Sequence, residues 1–125
     1  MTSKPFFSVV IPTRNRAKLL YLAIKSILNQ SFADFEIIIS DNYSNDNTKE
    51  VVENFDDERI RYFRSDKPLT MNENYENAVS KVNGKYITFL SDDDGFTIDA
   101  FKTIKEIIDK TNTSLLCWKY CYYYL

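Results

Sequence analysis

The sequence predicts an α/β domain: a largely parallel sheet with helices on both faces. Three observations carry that expectation. Short β-branched and aromatic runs recur along the 125 residues. The stretches between them place apolar residues at helical spacing, three and four apart. No repeat, low-complexity tract or linker breaks the alternation, so strand–helix–strand crossovers of right hand follow. A chain of 125 residues also falls within the roughly 100–150 residues of a single hydrophobic core.

Each element has its own signal. Phe7-Ser8-Val9-Val10-Ile11 is a β-branched run stopped by Pro12, which reads as a buried strand. Leu20, Ala23, Ile24, Ile27 and Leu28 line one face of a helix predicted over 17–29. Phe35 to Ser40, with three successive isoleucines, reads as a strand buried on both sides. The polar turn 41–47 follows. Asp46 or Asn47 is placed to cap a helix reaching Phe55, with Glu50 in its first turn. Ile60 to Arg64 is a shorter strand, and Ser65 to Leu69 is a loop. Tyr75, Ala78, Val79 and Val82 recur at helical spacing, and Asn83-Gly84 is expected to end that helix as a cap or turn. Tyr86 to Leu90 is the fourth strand, and a helix is expected from Ile98 to Lys110. A fifth strand-like run begins at Ser114.

Composition excludes several chemistries. The chain has no histidine, which removes Ser-His-Asp triads, imidazole bases and His-ligated zinc. Two glycines, where about nine are usual, build neither a dinucleotide-binding turn nor a P-loop. A net charge of −2 lacks the basic excess expected for a nucleic-acid partner. Cys117 and Cys121 sit four apart in an apolar run and read as buried thiols in a reducing compartment. Met1 to Pro5 lack the features of a secretory signal, and no apolar run approaches the roughly 18–20 residues of a transmembrane segment. The expected location is the cytoplasm, with any contact at the cytoplasmic face of a membrane made through a partner or a further segment. The run from Leu115 to Leu125 ends while still apolar and aromatic. A covering element is therefore expected: a C-terminal half, a partner subunit, or a second copy of the chain.

In open α/β sheets ligands bind beyond the carboxyl ends of the strands. There the sequence sets Pro12-Thr13-Arg14-Asn15-Arg16, Asp41-Asn42, Arg64-Ser65-Asp66-Lys67 and Asp92-Asp93-Asp94. Three adjacent aspartates repel unless a cation or solvent screens them. An oxygen-only set suits Mg²⁺ or another hard divalent ion that shares its shell with phosphate and water. The same triplet also fits a solvated turn in which Asp94 or Thr97 caps the next helix. Asp41 fits an Asx-turn with its own backbone, or an acceptor for a base N–H. Arg14, Arg16 and Lys67 fit ordinary surface charges, or neutralisation of a diphosphate.

Three stretches resemble family 2 glycosyltransferases. They are Ser8 to Arg16 (SVVIPTRNR), Ser26 to Phe32 (SILNQSF), and Phe35 to Thr48 (FEIIISDNYSNDNT). Gly84 to Asp94 (GKYITFLSDDD) is similar to that family's G-x-Y-I-x-F-L-x-x-D-D segment, which carries its DXD-type metal motif. The likeness covers nearly the whole chain in order and spacing. It implies a Rossmann-like GT-A fold, a nucleotide-diphospho-sugar donor, UDP-linked, and Mg²⁺ or Mn²⁺. It implies that Pro12, Thr13 and Arg14 flank the base and that Asp41 bonds to it. Asp92 would lie near the ribose, Asp93 would ligate the metal, and Asp94 would ligate it or orient a water. Arg16 and Lys67 stay candidates for the diphosphate. The family usually has aspartate where Ser91 stands, which shifts weight to the later carboxylates. It inverts configuration with a carboxylate base expected beyond Leu125, so residues 1–125 read as the donor-binding domain without the acceptor part. The acceptor would be a saccharide or a lipid-linked sugar, in polysaccharide biosynthesis. A non-catalytic nucleotide- or sugar-binding module working with a partner chain is the alternative.

Overall fold

The computed structural model describes residues 4–118. The elements run β1 (Phe7–Thr13), α1 (Ala17–Leu28), β2 (Phe35–Asp41), α2 (Thr48–Glu53), β3 (Ile60–Arg64), α3 (Met71–Val79), β4 (Tyr86–Phe89) and α4 (Ala100–Thr111). The four strands are all parallel, in spatial order β3-β2-β1-β4. This is the expected α/β architecture.

Burial explains the pattern. Every residue of β2 is buried, and Ile37, Ile38 and Ile39 have no exposure. An interior parallel strand has two covered faces, so it needs an apolar run rather than alternation. Each such isoleucine contributes about 1.5–3 kcal/mol of transfer free energy. On one face, α1 lays Leu20, Ala23, Ile24 and Ile27 against Val9, Ile11, Ile37 and Ile39. α4 adds Phe101, whose ring lies 5.2 Å from Phe7 and 5.5 Å from Phe35. On the other face, Ala78 of α3 packs with Val10 and Ile38.

Caps come from within and from neighbours. Thr70 and Glu73 form a capping box at the start of α3. The start of α1 is capped from outside: Asp46 Oδ2 accepts from the Ala17 backbone N–H at 3.1 Å. Gln30 does the same for α4, its side-chain oxygen accepting from Phe101 N–H at 3.0 Å.

Several expectations are corrected. α2 ends at Glu53 rather than Phe55, and α3 ends at Val79, well before Asn83-Gly84. Gly84 is not a left-handed cap, since no glycine has positive φ. A Cβ there would lie 2.6 Å from the backbone nitrogen of Ser8, so it is close approach to β1 that demands glycine. Neither Asp94 nor Thr97 caps α4 with its side chain, because the N-cap position belongs to Asp99. Residues 114–118 form no strand. Leu116 packs, partly buried, against the core, while Leu115 and Trp118 are exposed. Propensity without a pairing neighbour does not make a strand. Cys117 is exposed rather than buried. Cys121 and the tyrosine run lie outside the described residues. Among the described residues no helix is long and apolar enough to cross a membrane.

Candidate functional site

The strand order reverses between β1 and β4, and ligand crevices in such sheets open at that reversal. Thr13 ends β1 at this place. Its register partner on β2 is Asp41. On the other side, its hydroxyl donates to Asp92 Oδ2 at 2.7 Å. Its carbonyl accepts from Asn42 N–H at 2.9 Å. Asp41 and Asp92, 51 positions apart in the chain, thus flank one threonine on one edge.

The acidic side of the edge is built around a cation. Arg16 Nη1 donates to Asp92 Oδ1 at 3.1 Å and to Asp93 Oδ2 at 3.0 Å. Ser91 donates its hydroxyl to Asp93 Oδ1 at 2.6 Å. The Asp92 side chain is 7% exposed, against 50% for Arg16 and 46% for Asp93. The Ser91 hydroxyl, aided by Arg16, holds the Asp93 carboxyl below its ordinary range. Asp92, then Asp93, raise the Arg16 guanidinium above its own. Asp94 is exposed, and its backbone N–H closes a turn onto Ser91 O at 3.1 Å.

This arrangement bears on the expected ion. Two carboxylate oxygens already converge on one cationic nitrogen, so the pair is aimed at a single positive charge. All donors are oxygen, as Mg²⁺ and Mn²⁺ prefer. Among the described residues no group of three or more acidic, Cys or His side chains could hold a metal. Asp92 and Asp93 offer one free-facing oxygen each, so a divalent ion held here would need its remaining oxygen ligands from outside the chain, such as a phosphate.

The other side of the edge is more enclosed. Asp41 is buried, and its Oδ1 accepts from Ser44 N–H at 2.9 Å. Its Oδ2 accepts from the Tyr62 hydroxyl. Burial, then the bond to Asp41, raise the Tyr62 phenol. Arg64 Nε stands 3.9 Å from Asp41 Oδ2 and its guanidinium covers the Tyr43 ring at 4.7 Å. The turn reading of Asp41 is thus realised through Ser44, beside whatever else the carboxylate accepts. Two loops are stitched together here: Asn15 N–H donates to Ser44 Oγ at 2.9 Å, and Asn45 N–H to Asn15 Oδ1 at 2.7 Å.

Pro12, Thr13, Arg14, Arg16, Asp41, Asp92 and Asp93 therefore share this edge. Lys67 is exposed on the β3–α3 loop, which Asn42 anchors by accepting from Leu69 N–H at 2.7 Å. Sequence reasoning missed Ser91 and Tyr62 as partners of the carboxylates. Tyr62 was recoverable from alternation, because Ile39 pairs with Tyr62 and shares its face with Asp41. A cavity of about 90 Å³ lies away from this edge, lined in part by Phe7, Tyr86, Phe101 and Leu116, and holds none of these carboxylates.

The fold is the GT-A architecture. The chain belongs to glycosyl transferase family 2, whose model matches residues 8–124. It is similar to the GalNAc(5)-diNAcBac-PP-undecaprenol beta-1,3-glucosyltransferase of Campylobacter jejuni. Identity is 46% over 112 residues, covering 82% of this chain and 34% of that protein. Its fold is similar to that of S. aureus TarS 1-349 in complex with UDP, with TM-score 0.81 and 24% identity over 85% of this chain and 32% of that one. It is also similar in fold to the mannosyltransferase PcManGT from Pyrobaculum calidifontis in complex with GDP-Man and Mn²⁺. There the TM-score is 0.67 and identity 21%, over 76% of this chain and 29% of that one. The chain thus spans about a third of the length of these proteins.

Proposed function

We propose that this chain carries the donor-binding half of an inverting, metal-assisted glycosyltransferase. The donor is a nucleotide-diphospho-sugar, UDP-linked, and the acceptor hydroxyl belongs to a saccharide or lipid-linked sugar. The observation that carries the reading is the pairing of Asp41 and Asp92 across Thr13, with Asp92 and Asp93 directed at one cation. The UDP complex of TarS supports the choice of base. The Campylobacter relative, named for an undecaprenol-linked acceptor, supports a lipid-linked acceptor.

Each residue then has a task. Pro12, Thr13 and Arg14 border the base, and Asp41 accepts its N–H. Ser44 and Tyr62 hold the Asp41 carboxylate in place. Thr13 orients Asp92 toward the ribose and the ion, and Ser91 orients Asp93 as the principal ligand. Asp94 completes the shell or holds a water. Arg16 and Lys67 supply positive charge for the diphosphate. Mg²⁺ or Mn²⁺, held by Asp93 and Asp94, would supply Lewis-acid stabilisation of charge on the diphosphate.

A thermal-shift titration tests this reading. UDP with Mn²⁺ is expected to raise the melting midpoint, since ligand at 100 times its Kd stabilises the folded state by about 2.7 kcal/mol. Absence of a shift with every nucleoside diphosphate, with and without Mn²⁺, overturns it.

A further inference from the structure

We propose that Arg16 is an exchangeable counter-ion. Its guanidinium stands between Asp92 and Asp93, at the point their facing oxygens share. When the donor binds, it yields that position to the divalent ion and passes to the diphosphate. The inference deepens the metal reading of the site and rests on it.

The geometry favours exchange over permanent pairing. One nitrogen, Nη1, serves both carboxylates, at 3.1 and 3.0 Å. That is a shared point contact, not the bidentate fork by which arginine holds a carboxylate most firmly. The side chain is half exposed, so it can leave without opening the core. Its helix does not depend on it, because Asp46 caps Ala17.

The carboxylates are also held independently of Arg16. Thr13 bonds Asp92 through Oδ2, and Ser91 bonds Asp93 through Oδ1. The oxygens left facing the shared point are Asp92 Oδ1 and Asp93 Oδ2, the two that Arg16 now occupies. Removal of the guanidinium therefore leaves a fixed pair of oxygens aimed at one place.

Energetics set the direction of coupling. Without a cation the two carboxylates repel. With Arg16 in place, an incoming ion must displace a charge already there, which weakens its binding to the bare protein. A diphosphate offers the displaced guanidinium a new anion and offers the ion further oxygen ligands. Donor and metal consequently bind cooperatively, and by linkage each tightens the other by the same factor.

The test is a titration of the 125-residue chain with Mn²⁺, free Mn²⁺ being read by electron paramagnetic resonance, with and without UDP. UDP should tighten Mn²⁺ binding to the unaltered chain at least about fivefold, the lower end of ordinary coupling. Arg16→Gln should bind Mn²⁺ alone at least about fivefold tighter than the unaltered chain, and should lose a similar factor of the UDP effect. Arg16→Lys, which keeps the charge, should stay near the unaltered value. Circular dichroism should show the folded state of both variants unchanged. If the unaltered chain takes up Mn²⁺ with UDP but Arg16→Gln gains no affinity for Mn²⁺ alone, the exchange is wrong and the metal reading stands. If the unaltered chain takes up no Mn²⁺ even with UDP, both fall.

Discussion

The sheet carries a carboxylate–arginine cluster at each end, assembled from the same parts to opposite effect. At the amino ends of the strands, Glu36 pairs in register with Ser8. Its Oε1 accepts from Ser8 Oγ at 2.5 Å and from the Asn83 backbone N–H at 2.5 Å. Its Oε2 accepts from Arg61 Nη1 at 2.8 Å and from the Asn83 side-chain amide at 3.3 Å. Gly84 N–H in turn donates to Ser8 Oγ at 2.8 Å. This carboxylate is enclosed, and it bolts the α3–β4 connection to β1 and β2. At the carboxyl ends, Asp92 and Asp93 each have one fixed hydroxyl and share one half-exposed arginine. The difference lies in who satisfies the remaining oxygens. Glu36 is saturated by Ser8, Asn83 and Arg61 and has no capacity for a ligand. The aspartates are satisfied by a side chain that can leave.

Three measurements separate the two ends of the sheet. Glu36→Ala should cost about 3 kcal/mol or more in chemical denaturation, because it strands Arg61, Ser8 and the Asn83 N–H. Asp93→Asn should hardly move the same curve while abolishing the metal-dependent part of nucleotide binding. Equal losses in the two variants would erase the distinction between the ends.

Gly84→Ala should come next, costing about 1–3 kcal/mol, as overpacking does. The added carbon would meet Ser8 N at 2.6 Å and Phe7 C at 2.8 Å, and backbone inside a paired strand has little room to give. An unchanged denaturation midpoint would show that the junction at the amino end is loose.

The smallest effect concerns pH. Burial pushes the Glu36 carboxyl up, but the bonds from Ser8, Asn83 and Arg61 outweigh it and hold the group below its ordinary 4.5. A folded value below the unfolded one stabilises above pH 4.5 and is lost as pH falls through the folded value. Melting midpoints of the unaltered chain should therefore decline below that pH more steeply than those of Glu36→Gln. Parallel declines would mean that the other carboxylates govern acid unfolding.

Much of this was legible before the fold was known. The β1 and β2 runs and the α1 stripe are readable because parallel strands and amphipathic helices impose a period on composition. The Asp41 turn is readable because it closes within three residues, at Ser44. What stayed illegible involved pairs far apart in sequence. Gly84 looked like a cap because glycine is common after helices, whereas its reason is the backbone of Ser8, 76 residues away. Ser114 to Trp118 looked like a strand because propensity ignores whether a partner edge is available. Arg16 reads as a surface charge or as a partner of a diphosphate, not as a partner of the acidic triplet. Nothing local ties it to the aspartates, and only the seating of β4 beside β1 brings Asp92 and Asp93 to it.

Local chemistry alone decided the alternation of strands and helices, the burial of β2 and the absence of imidazole chemistry. Period, propensity and composition act within a few residues, so one dimension suffices to read them. Tertiary packing decided which oxygen faces which donor: that Thr13 stands between Asp41 and Asp92, that Glu36 is saturated, and that a single guanidinium holds two aspartates. Those relations depend on strand order and register, which long-range burial selects and no short stretch of sequence contains.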